Sequence, residues 1–319
     1  MVIEQARTRA VAKPWGSMDL QPWSRDAHEG TAIGEIWFQR ADANAPAPAL
    51  LLKLLFTKEA LSIQVHPDDG FAQSLGLVRG KTEAWYILSA TPGAQIAVGL
   101  TRHLDPPQLR TSIEDGSITD LVQWHPVVKD DAVFVPAGTI HAIGPGLVIA
   151  EIQQSSDATF RLFDYGRQRE LHVDNAVAAA HAAPSPCQTI PTRLTEARTL
   201  LVASKYFVLE RFDFAPNSTW EIDAEEETWV LVLEGHARVG SMDGIVGEAF
   251  FIEAARARIE VGAGGLKGLL AYVGDASDPN LLRNLAVEPD IAAARVFSQP
   301  LLHHRAATGA PSRSMEARA

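Results

Sequence analysis

The stretch Leu61-Ser62-Ile63-Gln64-Val65-His66-Pro67 constrains this chain more than any other. On a β-strand successive side chains point to opposite faces. Leu61, Ile63 and Val65 therefore form an apolar row, while Ser62, Gln64 and His66 form a polar one. Such a strand belongs between a core and a polar cavity. Pro67 lacks the N–H that a central strand needs, so the strand should end there with His66 at its tip.

Two downstream pieces supply further metal-binding groups. Glu83 opens a strand in Lys81-Thr82-Glu83-Ala84-Trp85-Tyr86, and His141 closes Pro136-Ala137-Gly138-Thr139-Ile140-His141. Gln64, His66, Glu83 and His141 then form a candidate set of two imidazoles, one carboxylate and one amide oxygen. That set suits a divalent ion of the zinc type with room for water or substrate. One carboxylate only half neutralises a dication, which would keep it a useful Lewis acid. Any one of these groups taken alone reads better as a satisfied buried or surface side chain. The metal reading gains ground because two histidines end strands and a glutamate opens a third.

Glu151 lies in the apolar run Leu147 to Gln154, where an unpaired carboxylate would be costly. A general base and a buried ion pair, such as one to an arginine, stand level as readings. Arg161 and Arg167 flank Leu162 to Gly166 and, with Lys81, are the cations nearest in sequence to the metal candidates. Guanidinium and ammonium groups fit a phosphate or a developing enediolate. For Arg167 plain surface charge is almost as good a reading. Trp15, Trp37 and Trp85 could stack on a sugar, but core packing is the safer expectation.

Along the chain, residues 1 to about 50 read as short pieces, and Leu50 to Phe56 as a buried apolar strand. A short helix is expected over Asp68 to Val78, with Phe71, Leu75 and Val78 on one side. Strands are expected at Glu83 to Leu88 and Gln95 to Gly99, a small helical insertion near 105–125, and a hairpin turn at Gly144-Pro145-Gly146. Many short strands with Gly/Pro turns point to a jelly-roll barrel. A second strand-rich block, 200–286, has a similar pattern, with His236 placed after a turn and no clustered ligands. The expected organisation is a metal-binding domain over 1–180, a linker over 181–199, a second barrel without a metal site over 200–286, and a partly disordered tail over 287–319.

The net charge of -11 is offset by no long basic run, which argues against nucleic acid as a partner. An anionic substrate must therefore be met by a local cluster of cations. The single cysteine, Cys187, excludes an internal disulfide and a cysteine-rich zinc site. With no apolar leader and no apolar run long enough to span a bilayer, no membrane association and a cytoplasmic location are expected. A monomer or a homodimer would serve equally.

The motifs Leu61 to Asp69, Gly80 to Glu83, Val135 to His141, and Glu151 with Ser156 to Arg161 resemble type I phosphomannose isomerases, zinc-dependent members of the cupin superfamily. Weaker likeness extends to Trp15-Gly16, Ile33 to Trp37 and Tyr206 to Glu210. The resemblance covers nearly the whole chain in order and implies a mainly β fold of two cupin-like jelly-roll barrels. By position it places the zinc ligands on Gln64, His66, Glu83 and His141, the set already assembled from spacing. It places the catalytic arginine on Arg161, and substrate-lining groups on Ser62, Lys81, Glu151 and Asp157. Where larger relatives have a lysine, this chain has Arg167, which keeps the charge and alters the geometry of a phosphate contact. The implied reaction is interconversion of mannose 6-phosphate and fructose 6-phosphate through a cis-enediol, with Glu151 as candidate base. An isomerase of another sugar or sugar phosphate would share the metal set. A sugar-binding cupin would be expected to lack Glu151 or Arg161, and a purely structural one to lack the ligands.

Overall fold

Alternation along a few strands sorts side chains into four apolar cores, and the site lies on the face shared by two sheets. The computed structural model describes residues 1–25, 30–185 and 190–286. The N-terminal part contains β1 (Val2–Gln5), β2 (Arg7–Ser17), β3 (Ile33–Gln39), β4 (Leu50–Thr57), β5 (Ile63–Val65) and β6 (Glu83–Ala90). It continues with β7 (Gln95–Leu100), β8 (Val122–Pro126), β9 (Ala132–Val135), β10 (His141–Ile143), β11 (Leu147–Gln154) and β12 (Phe160–Phe163). Antiparallel pairing arranges these as a six-stranded sheet, β2-β3-β4-β11-β6-β9, and a five-stranded sheet, β12-β5-β10-β7-β8.

The inner faces of these two sheets share one apolar cluster, with Leu55, Trp85, Ile87 and Ile149 from the first and Ile96, Val98 and Ile143 from the second. The outer face of the five-stranded sheet puts Ile63, Val65 and Leu162 against Leu109, Ile113 and Ala176 of short helices. The outer face of the six-stranded sheet carries Leu50, Leu52, Leu54 and Phe56, which pack with Phe207, Trp229 and Leu231 of the C-terminal half. A strand buried on both faces reads as an unbroken apolar run, which is why Leu50 to Phe56 showed no alternation.

The C-terminal half adds β13 (Thr192–Arg193), β14 (Arg198–Ala203), β15 (Phe207–Phe214), β16 (Thr219–Ala224), β17 (Thr228–Val239), β18 (Met242–Ile245), β19 (Ala249–Glu253), β20 (Ala255–Val273) and β21 (Leu282–Asn284). These form a ten-stranded sheet that β1 joins by pairing with β19. The fold is mainly β and cupin-like, as the sequence implied.

Several local expectations need correction. The helix α1 (Asp69–Ser74) is capped by the Asp68 carboxylate, which accepts from Phe71 N–H, but it is much shorter than expected. Gly76 turns the chain at φ +79°, leaving Leu75 and Val78 43% and 79% exposed rather than packed on one side. In the insertion, α2 (Pro106–Glu114), closed by an Asp105–Gln108 capping box, and α3 (Ile118–Leu121) are followed by strand β8, so the helical part ends early. Gly144-Pro145-Gly146 is not a hairpin: β10 and β11 on either side of it belong to different sheets. His236 does not follow a turn, because Gly235, at φ +87°, lets β17 bend through a pairing irregularity and continue. A short helix, α4 (Val173–Ala179), follows β12. Cys187 and the 287–319 tail lie outside the described residues. Among the described residues, no helix is long and apolar enough to cross a membrane.

Candidate metal centre

The polar row of the opening strand meets its partners across both sheets. In the five-stranded sheet His141 sits directly opposite Gln64, and Arg161 opposite Gln64 on the other side. In the six-stranded sheet Glu83 pairs with Gln153 and with Val135, and Glu151, two residues before Gln153 on β11, pairs with Trp85 and Lys53. Side chains of one sheet thus face those of the other across the interior. Leu61 departs from the expected alternation: it turns inward with the shared apolar cluster rather than joining Ile63 and Val65.

His66, Glu83 and His141 are all buried, and their ligand atoms lie within 4.8 Å of one another. His66 Nδ1 donates to Ala158 O at 2.8 Å, and His141 Nδ1 donates to Thr139 O at 2.8 Å. Those bonds put each ring's hydrogen on Nδ1 and its lone pair on Nε2, the tautomer a metal requires, and Lys81 Nζ stands 3.1 Å from His66 Nε2. The Nε2 atoms lie 3.4 Å from Glu83 Oε2 and Oε1 respectively. Neither Glu83 oxygen has a hydrogen-bond partner, although Lys81 Nζ stands 3.1 Å from Oε2 as an ion pair. A buried carboxylate with no hydrogen bond to either oxygen, facing two imidazole lone pairs, is a donor set built for a cation, and the Lys81 ammonium stands beside it. Gln64 Nε2 stands 3.2 Å from His141 Nε2 while its Oε1 accepts from Ser62 Oγ. The two ends of an amide are exchanged by a half-turn, which offers the oxygen to the same point. The residues therefore fit a zinc ion.

Electrostatics favour the same states. Burial, with help from the Lys81 ammonium, pushes His66 down to about 3, and burial also lowers His141, so both rings are neutral. Burial opposes the charge on Glu83, but the Lys81 ammonium holds its carboxyl well below the usual range. Burial and the neighbouring Glu83 charge raise the Glu151 carboxyl, with Lys81 and Lys53 pulling the other way.

A cavity of about 280 Å³ opens beside this cluster, lined by Ser62, Gln64, Lys81, Glu151, Asp157 and Arg161 among others. Glu151 accepts from Trp85 Nε1 at 3.1 Å and pairs with Lys53 Nζ at 3.5 Å. It is thus both buried in an ion pair, with lysine in place of the arginine considered from sequence, and open to the cavity. Trp85 is fully buried, and Trp15, also buried, forms part of the cavity wall.

Arg167 is not among the cavity-lining residues. It donates to Asp164 and to Ala60 O at 2.6 Å and pairs with Glu59. Arg169, which sequence reasoning passed over, lines the cavity and holds Asp164 with two bonds of 2.7 and 2.5 Å. Lys13, Glu35 and Lys53 were also missed. Lys13 pairs with Glu35 at 3.0 Å, Glu35 accepts from Trp37, and Lys53 lies over the Trp37 ring. A lone lysine in Leu-Leu-Leu-Lys-Leu-Leu-Phe was the available signal for Lys53, since a charge buried among leucines needs a partner.

No protein-family model matches the chain. A mannose-6-phosphate isomerase from Streptococcus mutans is 35% identical over 225 residues, 66% of this chain and 70% of that protein. The crystal structure of the mannose 6-phosphate isomerase from Bacillus subtilis superposes with TM-score 0.72 at 26% identity, covering 84% of this chain and 98% of that one. A zinc-bound mannose 6-phosphate isomerase shares the fold, with TM-score 0.66 at 14% identity over 85% of this chain and 99% of that one.

Proposed function

The chain belongs to the mannose-6-phosphate isomerase family and is an aldose–ketose isomerase, and we propose that it interconverts mannose 6-phosphate and fructose 6-phosphate at a zinc site held by Gln64, His66, Glu83 and His141. The observation that carries this reading is the convergence of two neutral imidazole Nε2 atoms on a buried glutamate with no hydrogen bond to either oxygen, beside a cavity holding Glu151 and Arg161. When bound, the zinc ion supplies a Lewis acid that polarises the oxygens of the open-chain sugar.

The chain's own groups do the rest. Glu151 takes the proton from C2 of the aldose and returns it to C1 through a cis-enediol, while the O2 hydroxyl proton passes to O1. Its raised carboxyl pKa suits a group that must both accept and release a proton. Trp85 N–H and Lys53 hold one carboxylate geometry, leaving no need to order the base during the reaction. Arg161, whose Nε is fixed on Glu170 O at 3.0 Å, presents its guanidinium to the enediolate oxygen. Ser62, Lys81 and Asp157 position the substrate along the cavity wall. Arg169 brings a cation to the phosphate, and Arg167 contributes at one remove by sharing Asp164 with it.

A substrate panel tests this reading. Mannose 6-phosphate should be turned over far faster than glucose 6-phosphate or free mannose. Preference for an unphosphorylated sugar would contradict the phosphate assignment while leaving the metal set in place.

A further inference from the structure

The segments bearing His66, Glu83 and His141 are laced together by backbone bonds. Lys81 N–H donates to Pro67 O at 3.0 Å, and Gly138 N–H donates to His66 O at 2.8 Å. Ala137 N–H donates to Thr82 Oγ1 at 3.2 Å. Gln154 closes the lattice: its Oε1 accepts from Thr82 N–H at 2.9 Å and its own N–H donates to Thr82 O at 3.0 Å.

One carboxylate gathers this lattice at its edge. Asp69, three residues beyond His66, accepts on Oδ1 from Gly80 N–H at 2.8 Å and from Gln154 Nε2 at 3.0 Å. Its Oδ2 accepts from the hydroxyl of Tyr206 at 2.8 Å, and Tyr206 comes from the C-terminal half. That tyrosine is firmly mounted. Ser204 Oγ accepts from the N–H groups of both Tyr206 and Phe207, and Phe207 is fully buried in the core between the halves. Movement of Asp69 would pass directly to the metal-ligating strand. Gly80 lies so close to the preceding turn that a Cβ there would sit 2.5 Å from both Pro67 O and the Asp68 carbonyl carbon. Gly80 is followed at once by Lys81-Thr82-Glu83.

From this chain of contacts we propose that Tyr206 is a positioning residue for the metal centre, acting through Asp69 on the Gly80–Glu83 segment. The C-terminal half, whose described residues contribute nothing to the ligand cluster or the cavity lining, then has a stated part in the activity. The inference rests on the metal-site reading above. Ligands must be held to within a fraction of an ångström, so a contact outside the site tunes metal retention more than it alters substrate contacts.

The test uses the full-length zinc-loaded protein and measures zinc loss to a chromophoric chelator, alongside kcat and KM. Tyr206→Phe, which removes one oxygen, should release zinc about three- to tenfold faster, somewhat below the effect of losing a direct partner of a ligand. It should lower kcat more than it changes KM. In an Asp69→Ala background the same change should add nothing further. Tyr272→Phe serves as the control: its hydroxyl bonds Glu210 inside the C-terminal half, so it should lower thermal stability and leave zinc loss unchanged. Wild-type zinc retention in Tyr206→Phe, equal acceleration in Tyr272→Phe, or full additivity with Asp69→Ala would each overturn the inference alone. A wild-type protein that held no zinc would overturn the metal-site reading and this inference with it.

Discussion

Glu151 stands between opposing influences, and its chemistry follows from their balance. Burial and Glu83 raise its carboxyl, while Lys81 and Lys53 draw it down. Replacing it by glutamine keeps the shape and removes the base, so turnover should fall by about 10²- to 10⁴-fold with zinc content unchanged, as judged by metal analysis of the purified variant. Near-normal turnover would remove Glu151 from that role. Lys53→Met takes away one stabilising cation and must raise the carboxyl further. Since the base acts when ionised, the acidic limb of the kcat/KM profile should move to higher pH. An unmoved or downward-shifted limb would show that Lys53 does not act on Glu151. At this scale the candidate ligands could be read from sequence because Gln64 and His66 lie two apart on the same face and His66 follows β5 directly, although His141, expected to end a strand, instead opens β10. Lys53 and Arg169 could not, because their importance comes from strands and loops that meet them only in the folded chain.

Among the elements, the turn from Arg79 to Glu83 does the most to place the site. Gly80→Ala would force a methyl into backbone atoms 2.5 Å away, and the strand start carrying Lys81 and Glu83 would have to give way. Zinc retention should fall at least tenfold, measured by the same chelator competition, whereas a variant that folds and holds zinc normally would show the turn to be adaptable. Asp105→Ala offers the contrasting case. It removes a capping box on α2, remote from the ligand set, and should lower stability by about 1 kcal/mol with kcat intact. The elements themselves were legible where one face was polar and the other apolar. Strand β2 was not foreseen, since Arg7–Ser17 is interrupted by Lys13-Pro14 and its pairing with β3 shifts register there. That β20 is a single strand is not legible in the sequence, because its glycines at 262, 264 and 265 read as a turn although the pairing runs on to β15 and β17.

For the whole molecule, the largest apolar cluster is built from both halves. Leu50, Leu52, Leu54 and Phe56 bury one face of the catalytic sheet against Phe207, Trp229 and Leu231. A chain cut at residue 199 would expose that face, and it should aggregate rather than yield an active domain; a soluble, zinc-binding fragment would contradict this. The sequence suggested two blocks but not how they join, because a buried apolar strand does not name the surface that covers it. The central claim is that one site both holds zinc and isomerises a sugar phosphate. It is tested most directly by following mannose 6-phosphate turnover in the purified protein before chelation, after chelation, and after zinc is restored. Activity should disappear with the metal and return with it. Undiminished turnover in protein shown to be free of metal, or none in protein shown to hold zinc, would contradict the account.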